Sequence, residues 1–115
     1  MSKVDAFNSY RTRMNARIMA EDNRFIKRFY NLDTNAYAEG ALPVKTKELL
    51  GLVASMVLRC DDCIQYHLGK CHEEGVTDKE VWEVFEIANL VGGSIVIPHF
   101  RRAVEYWEEL KAVSK

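Results

Sequence analysis

Two thiols, an imidazole and a carboxylate are spaced along the middle of this 115-residue chain in a way that suits thiol redox chemistry. The stretch Cys60-Asp61-Asp62-Cys63-Ile64-Gln65-Tyr66-His67 holds three of them. On a helix, at about 100° per residue, Cys63 and His67 stand roughly 40° apart on one face, so the imidazole can reach the Cys63 sulfur directly or through one water. Cys60 falls just before or within the first turn, about 60° from Cys63 if it is helical. Two thiols separated by two residues at a helix start can close a disulfide with little backbone movement. The helix N-terminus and an imidazolium both favour thiolate, the nucleophilic form. Cys71 lies on the same stripe one turn beyond His67. Geometry alone leaves open which cysteine attacks, since in thioredoxin-type sites the first of the pair usually does.

These residues need helices to hold them, and the apolar spacing supplies helices nearly everywhere. Val4, Phe7, Tyr10, Met14 and Ile18 share a stripe, and Phe25, Ile26, Phe29 and Tyr30 follow, so one long or broken helix is expected from about 4 to 32. Asn31-Leu32-Asp33-Thr34-Asn35 reads as a turn and Gly40 as a loop. Pro43 suits a first helical turn, where its missing N–H has no intrahelical acceptor to lose. Leu49, Leu50, Val53, Met56 and Val57 then form an apolar face, with Glu48 beside it. This helix should end near Arg59-Cys60. The next begins at Asp61 or Asp62, carries Ile64, His67, Leu68 and Cys71, and stops at Gly75. Antiparallel packing of the two would bring Glu48 below the dithiol, near His67. Thr77-Asp78-Lys79-Glu80 is a capping box that opens a helix burying Val81, Val84, Phe85, Ala88 and Val91. Gly92-Gly93-Ser94 marks a break or a close helix approach. Ile95-Val96-Ile97 could be a short strand, but it has no second strand to bond. A last helix from Pro98 to about 113 turns Ala103, Tyr106, Trp107 and Leu110 inward. The fold class is all-α, a compact bundle of about five to six helices.

Composition narrows the function. Apolar residues at 48% and charged residues at 29% describe a globular domain rather than a disordered chain. A net charge of −1 offers no electrostatic reason to bind nucleic acid. No apolar run approaches the roughly 18 residues of a membrane helix, and the N-terminus does not read as a signal peptide, so the expectation is a cytoplasmic protein. Three cysteines, two of them a close pair, do not make a secreted disulfide framework. Any one of them could be a small core residue. Cys60, Cys63, His67 and Cys71 could also be weighed as a zinc set, but one straight helix spreads them along its length and cannot wrap them around an ion. Neither metal nor cofactor is therefore expected. Arg11, Arg13, Arg17, Arg24, Lys27 and Arg28 read as a solvated or intersubunit basic face, with Glu105, Glu108 and Glu109 as its partner across subunits. His72 and His99 receive no catalytic role. So many large apolar residues in so short a chain suggest that some are buried between subunits.

The order Glu48, Cys60, Cys63, His67 resembles the Glu…Cys-x-x-Cys-x-x-x-His pattern of the AhpD-like alkylhydroperoxidases, within the wider carboxymuconolactone decarboxylase family. The similarity spans roughly residues 40 to 110 and includes Gly92-Gly93. It implies a single AhpD-like helical domain over 1–115, with 1–40 as an N-terminal helical extension and 41–113 as the core, assembled as a homotrimer or homohexamer. It implies that Cys63 attacks a hydroperoxide, that Cys60 resolves the sulfenic acid as a disulfide, and that Glu48 and His67 relay protons. A lipoamide-like or thioredoxin-like dithiol would then reopen the disulfide. The best-studied peroxidases of this kind carry a histidine between the cysteines, where this chain has Asp61 and Asp62. These carboxylates favour the helix start but disfavour a nearby thiolate, which leaves a disulfide as the alternative substrate. Two other function classes are weighed. One is a decarboxylase-like lyase using Glu48 and His67 as acid and base without thiol chemistry. The other is a non-catalytic oligomer binding a small ligand or a metal.

Overall fold

The computed structural model describes residues 2–113. Its elements are α1 (Lys3–Ala20), α2 (Arg24–Ala36), α3 (Val44–Val57), α4 (Asp61–Glu73), α5 (Asp78–Gly92), a 3-10 turn (Ser94–Val96) and α6 (Ile97–Val113). Among the described residues there is no strand, and no helix is long and apolar enough to cross a membrane. The all-α bundle expected from the periodicity is what forms.

The first helical stretch is broken, not continuous. Asp22 adopts a left-handed backbone (φ 57°), and Asn23 restarts the helix by accepting the Ile26 N–H on its side chain at 3.0 Å. The turn expected at 31–35 is overturned, because α2 runs through it to Ala36. The Asn and Asp residues there cost only tenths of a kcal/mol each as helix formers. A distant side chain outweighs them: Lys47, from α3, donates to the carbonyls of Ala36 (2.8 Å) and Ala38 (2.6 Å) and so satisfies the end of α2.

α3 is rotated relative to its expected face. Glu48, Leu52, Ser55 and Met56 point inward, while Leu50 is exposed and Leu49, Val53 and Val57 are half-buried. Arg59 in the left-handed region (φ 60°) then reverses the chain, with the Cys60 N–H bonded to the Ser55 carbonyl at 3.1 Å. α4 buries Ile64, His67, Leu68 and Cys71, and its end is marked by Gly75 at φ 77°. Both arms of the Thr77–Glu80 capping box are made, and α5 buries Val81, Phe85 and Ala88. Val84 is only half-buried, and Val91, expected inside, is exposed. Gly92 serves as both a break and a close approach, because a Cβ there would collide with the Val96 side chain. The segment 95–97, weighed as a strand, forms the 3-10 turn and the start of α6.

The core lies among α3, α4, α5 and α6, with Leu52, Met56, Phe85 and Trp107 fully enclosed. Each such side chain contributes about 1.5–3 kcal/mol by leaving water. α1 closes one side through Val4 and through Phe7, whose ring meets Tyr106 edge-on at 6.0 Å. The Glu105 and Glu109 expected to face another subunit meet α1 of the same chain at Lys3, and Glu108 pairs with Lys111. α2 buries none of its residues.

Candidate functional site

Two adjacent helices carry the site. α3 turns Glu48 inward until only 3% of it is exposed, and α4 presents His67, 8% exposed, directly opposite. The imidazole Nδ1–H donates to Glu48 Oε1 at 2.8 Å, a charge-assisted bond inside the protein. The structure thus brings together the carboxylate and the imidazole that the sequence sets 19 positions apart.

The cysteines stand at the start of α4. Cys60 is its N-cap and Cys63 lies in its first turn, and the two are joined as a disulfide across a Cα–Cα distance of 5.3 Å. The Cys63 N–H also donates to Cys60 Sγ at 3.2 Å, so the sulfur occupies the place of a capping oxygen. A thiolate at Cys60 would be stabilised there by that N–H and by the helix N-terminus. Cys63 is exposed and Cys60 half-buried. A cavity of about 180 Å³ opens onto Cys63 and His67 together, with Arg11, Asp33, Asp62 and Tyr66 as the rest of its wall. In this oxidised state the ring nitrogens of His67 do not bond a sulfur. Nδ1 faces Glu48, and Nε2 lies 3.4 Å from the Tyr37 hydroxyl.

Several neighbours were not singled out from the sequence. Tyr37 is the C-cap of α2, and its ring sits 5.3 Å from the His67 ring between centroids. Gly51 makes that approach possible: a Cβ at this position would lie 2.6 Å from both His67 Cε1 and the Tyr37 hydroxyl oxygen. Arg11 is not part of a solvated face. Its guanidinium stacks 4.1 Å above the Tyr66 ring, at the rim of the Cys63 cavity. Asp61, expected to oppose a thiolate, turns to α6 and receives His99 Nδ1 at 2.8 Å and Arg102 Nε at 2.9 Å. Its charge is therefore largely answered; of the two, Asp62 remains beside Cys63, with Asp33 of α2 on the same cavity wall. One signal was available for this lock: His99 and Arg102 are three apart, hence on one face of α6.

Cys71 shares the stripe but not the cavity. It is fully buried, and burial, reinforced by the Glu48 charge, pushes its thiol up to about 12. Among the described residues no group of three or more His, Cys, Asp or Glu side chains is arranged to hold a metal.

Comparison with known proteins gives the following. The model of the carboxymuconolactone decarboxylase family matches residues 23–106. A crystal structure of a carboxymuconolactone decarboxylase family protein from Thermotoga maritima, for which a part in the antioxidative response has been suggested, superposes with a TM-score of 0.90 at 53% identity, covering 95% of this chain and 92% of that one. A protein of the same family from Legionella pneumophila superposes with a TM-score of 0.87 at 26% identity, covering 96% and 98%. The alkyl hydroperoxide reductase AhpD of Corynebacterium aurimucosum is 32% identical over 62 residues, which are 54% of this chain and 35% of that protein.

Proposed function

Because the chain belongs to the carboxymuconolactone decarboxylase family, we propose that it works as a thiol-dependent oxidoreductase that reduces organic hydroperoxides through Cys60 and Cys63. One observation carries this reading: His67, held from behind by the buried Glu48 carboxylate, stands on the wall of the same cavity as the exposed Cys63, whose neighbour Cys60 is within disulfide reach.

In the reduced protein, His67 takes the Cys63 proton at Nε2 while Nδ1 stays on Glu48, so the imidazolium forms against a carboxylate and costs little. The Cys63 thiolate attacks the outer oxygen of the hydroperoxide. The S–O bond forms, the O–O bond breaks, and the departing alkoxide takes the proton held by His67 and leaves as alcohol. The Cys60 thiol then displaces hydroxide from the Cys63 sulfenic acid; its own proton completes a water, and the disulfide closes. A lipoamide-like or thioredoxin-like dithiol restores both thiols and becomes a disulfide itself. The exposure of Cys63 and the half-burial of Cys60 favour Cys63 as the attacking sulfur. A disulfide substrate would use the same attack, with sulfur in place of oxygen as the leaving atom. The cycle suits a reducing cytoplasm, and a homotrimer or homohexamer would cover the apolar face that α2 leaves open.

The Glu48–His67 pair could serve a lyase as acid and base, but that chemistry has no use for the dithiol. The test is to treat fully reduced protein with one equivalent of cumene hydroperoxide, trap free thiols at intervals and map them by mass spectrometry. The expected product is the Cys60–Cys63 disulfide, formed about 10²–10⁴ times more slowly in His67→Ala, the usual range for losing a positioned base. Cysteines that stay reduced, or that oxidise at the same rate in His67→Ala, would falsify the peroxidase reading.

A further inference from the structure

His67 has two possible partners for Nε2 and can bond only one at a time. In the disulfide form the partner is Tyr37, whose hydroxyl lies 3.4 Å away. That distance is at the long edge of a hydrogen bond, so the contact is easily given up. Once the pair is reduced, the Cys63 thiol on the shared cavity wall becomes the better partner, because a thiolate offers an imidazolium a charge and a phenol does not.

The surroundings suit this exchange. Tyr37 keeps its proton and so remains a donor: burial, and then the Glu48 carboxylate, hold its phenol above the ordinary value. Glu48 fixes the other end of the imidazole at 2.8 Å, and the carboxylate itself takes no part in the thiol–disulfide change. Gly51 is the gap through which Tyr37 and His67 meet, since a methyl group there would press on both within 2.6 Å. Tyr37 and Glu48 line a second cavity of about 430 Å³, which shares Asp33 and Tyr66 with the one that holds Cys63 but does not include Cys63 itself. Tyr37 is not on the wall of the Cys63 cavity, and its link to the dithiol runs through His67.

We propose that Tyr37 is a positioning residue that sets the redox poise of the Cys60–Cys63 couple, by satisfying His67 Nε2 in the oxidised state and releasing it to Cys63 in the reduced state. This rests on the redox reading above. Removing the hydroxyl leaves a buried Nε2 unsatisfied only while the disulfide is closed, so the disulfide loses stability relative to the dithiol. In the exchange a donor dithiol passes two electrons and two protons to Cys60 and Cys63 and becomes a disulfide. The loss of Tyr37 should favour that direction.

The test needs no peroxide. Wild type, Tyr37→Phe and Gly51→Ala are equilibrated with dithiothreitol in its reduced and oxidised forms, and the Cys60–Cys63 disulfide is quantified by thiol trapping. Tyr37→Phe keeps the ring and should move the equilibrium about fivefold toward the dithiol, ~20 mV for a two-electron couple. Gly51→Ala, which keeps both residues but parts them, should move it the same way, and it carries the test alone if Tyr37→Phe does not fold. An unchanged equilibrium, or a move toward the disulfide, overturns the inference. If peroxide oxidises the pair normally while this equilibrium does not move, the inference falls and the peroxidase reading stands. A normal shift without peroxide reactivity does the reverse.

Discussion

Position on a helix stripe does not decide what a cysteine does; its surroundings do. Cys63 and Cys71 lie on the same helix with His67 between them, yet one is exposed at the helix start and the other is sealed in the core. Burial disfavours the charged thiolate, and with its thiol at about 12, Cys71 is ionised in only about one molecule in ten thousand at pH 8. After mild reduction at that pH, iodoacetamide should label Cys60 and Cys63 within minutes and Cys71 only after denaturant is added. Labelling of native Cys71 at a rate near that of Cys63 would show that the core does not shelter it. Sequence spacing put both cysteines near His67, but it carried no information on depth.

Helix ends were legible where the capping residues are local and misread where the cap comes from elsewhere. The Thr77–Glu80 box is complete within four residues, so the start of α5 could be read directly. The end of α2 could not, because Lys47 reaches it from another helix. The start of α5 also sets an acid limit on stability. Asp78 is held below the ordinary carboxylate range by its bonds from Lys111 and Trp107, and Glu80 by the Thr77 backbone N–H and then Lys45. A carboxyl group whose folded value is depressed contributes stability that is complete above its unfolded value, about pH 4, and is lost as pH falls through the folded value. Melting temperature should therefore drop as pH falls below about 4, and Asp78→Asn should flatten that drop while lowering the melting temperature at neutral pH. A variant that keeps the full acid dependence would place it elsewhere in the molecule.

At the scale of the whole molecule, α2 is the element out of balance. Phe25, Phe29 and Leu32 are 77%, 61% and 66% exposed on a helix that buries nothing in its own chain. Apolar side chains grouped in this way mark a surface made for contact. A second copy of the chain is the partner that the notion of an oligomer supplies. Light scattering during size exclusion should give a mass above that of the single chain, and Phe25→Lys with Phe29→Lys should lower it without lowering helical content. A wild-type protein that runs as a monomer at micromolar concentration would show that this face is not covered by a second copy.

What the sequence determined by itself follows from covalent spacing. Helical phase is set within a few residues, so the all-α class, the placement of Cys60 and Cys63 at a helix start, the His67 stripe and the capped start of α5 were all readable along the chain. Tertiary structure decided what depends on the rotation of one helix against another. It turned Glu48 fully inward onto His67, carried Tyr37 to Nε2 through the gap at Gly51, and drew Asp61 toward His99 and Arg102. Only the last left a local trace, the three-residue spacing of His99 and Arg102 on one face of α6. Each joins residues 14 or more positions apart, and each depends on packing among helices that the periodicity of any one of them leaves free to rotate.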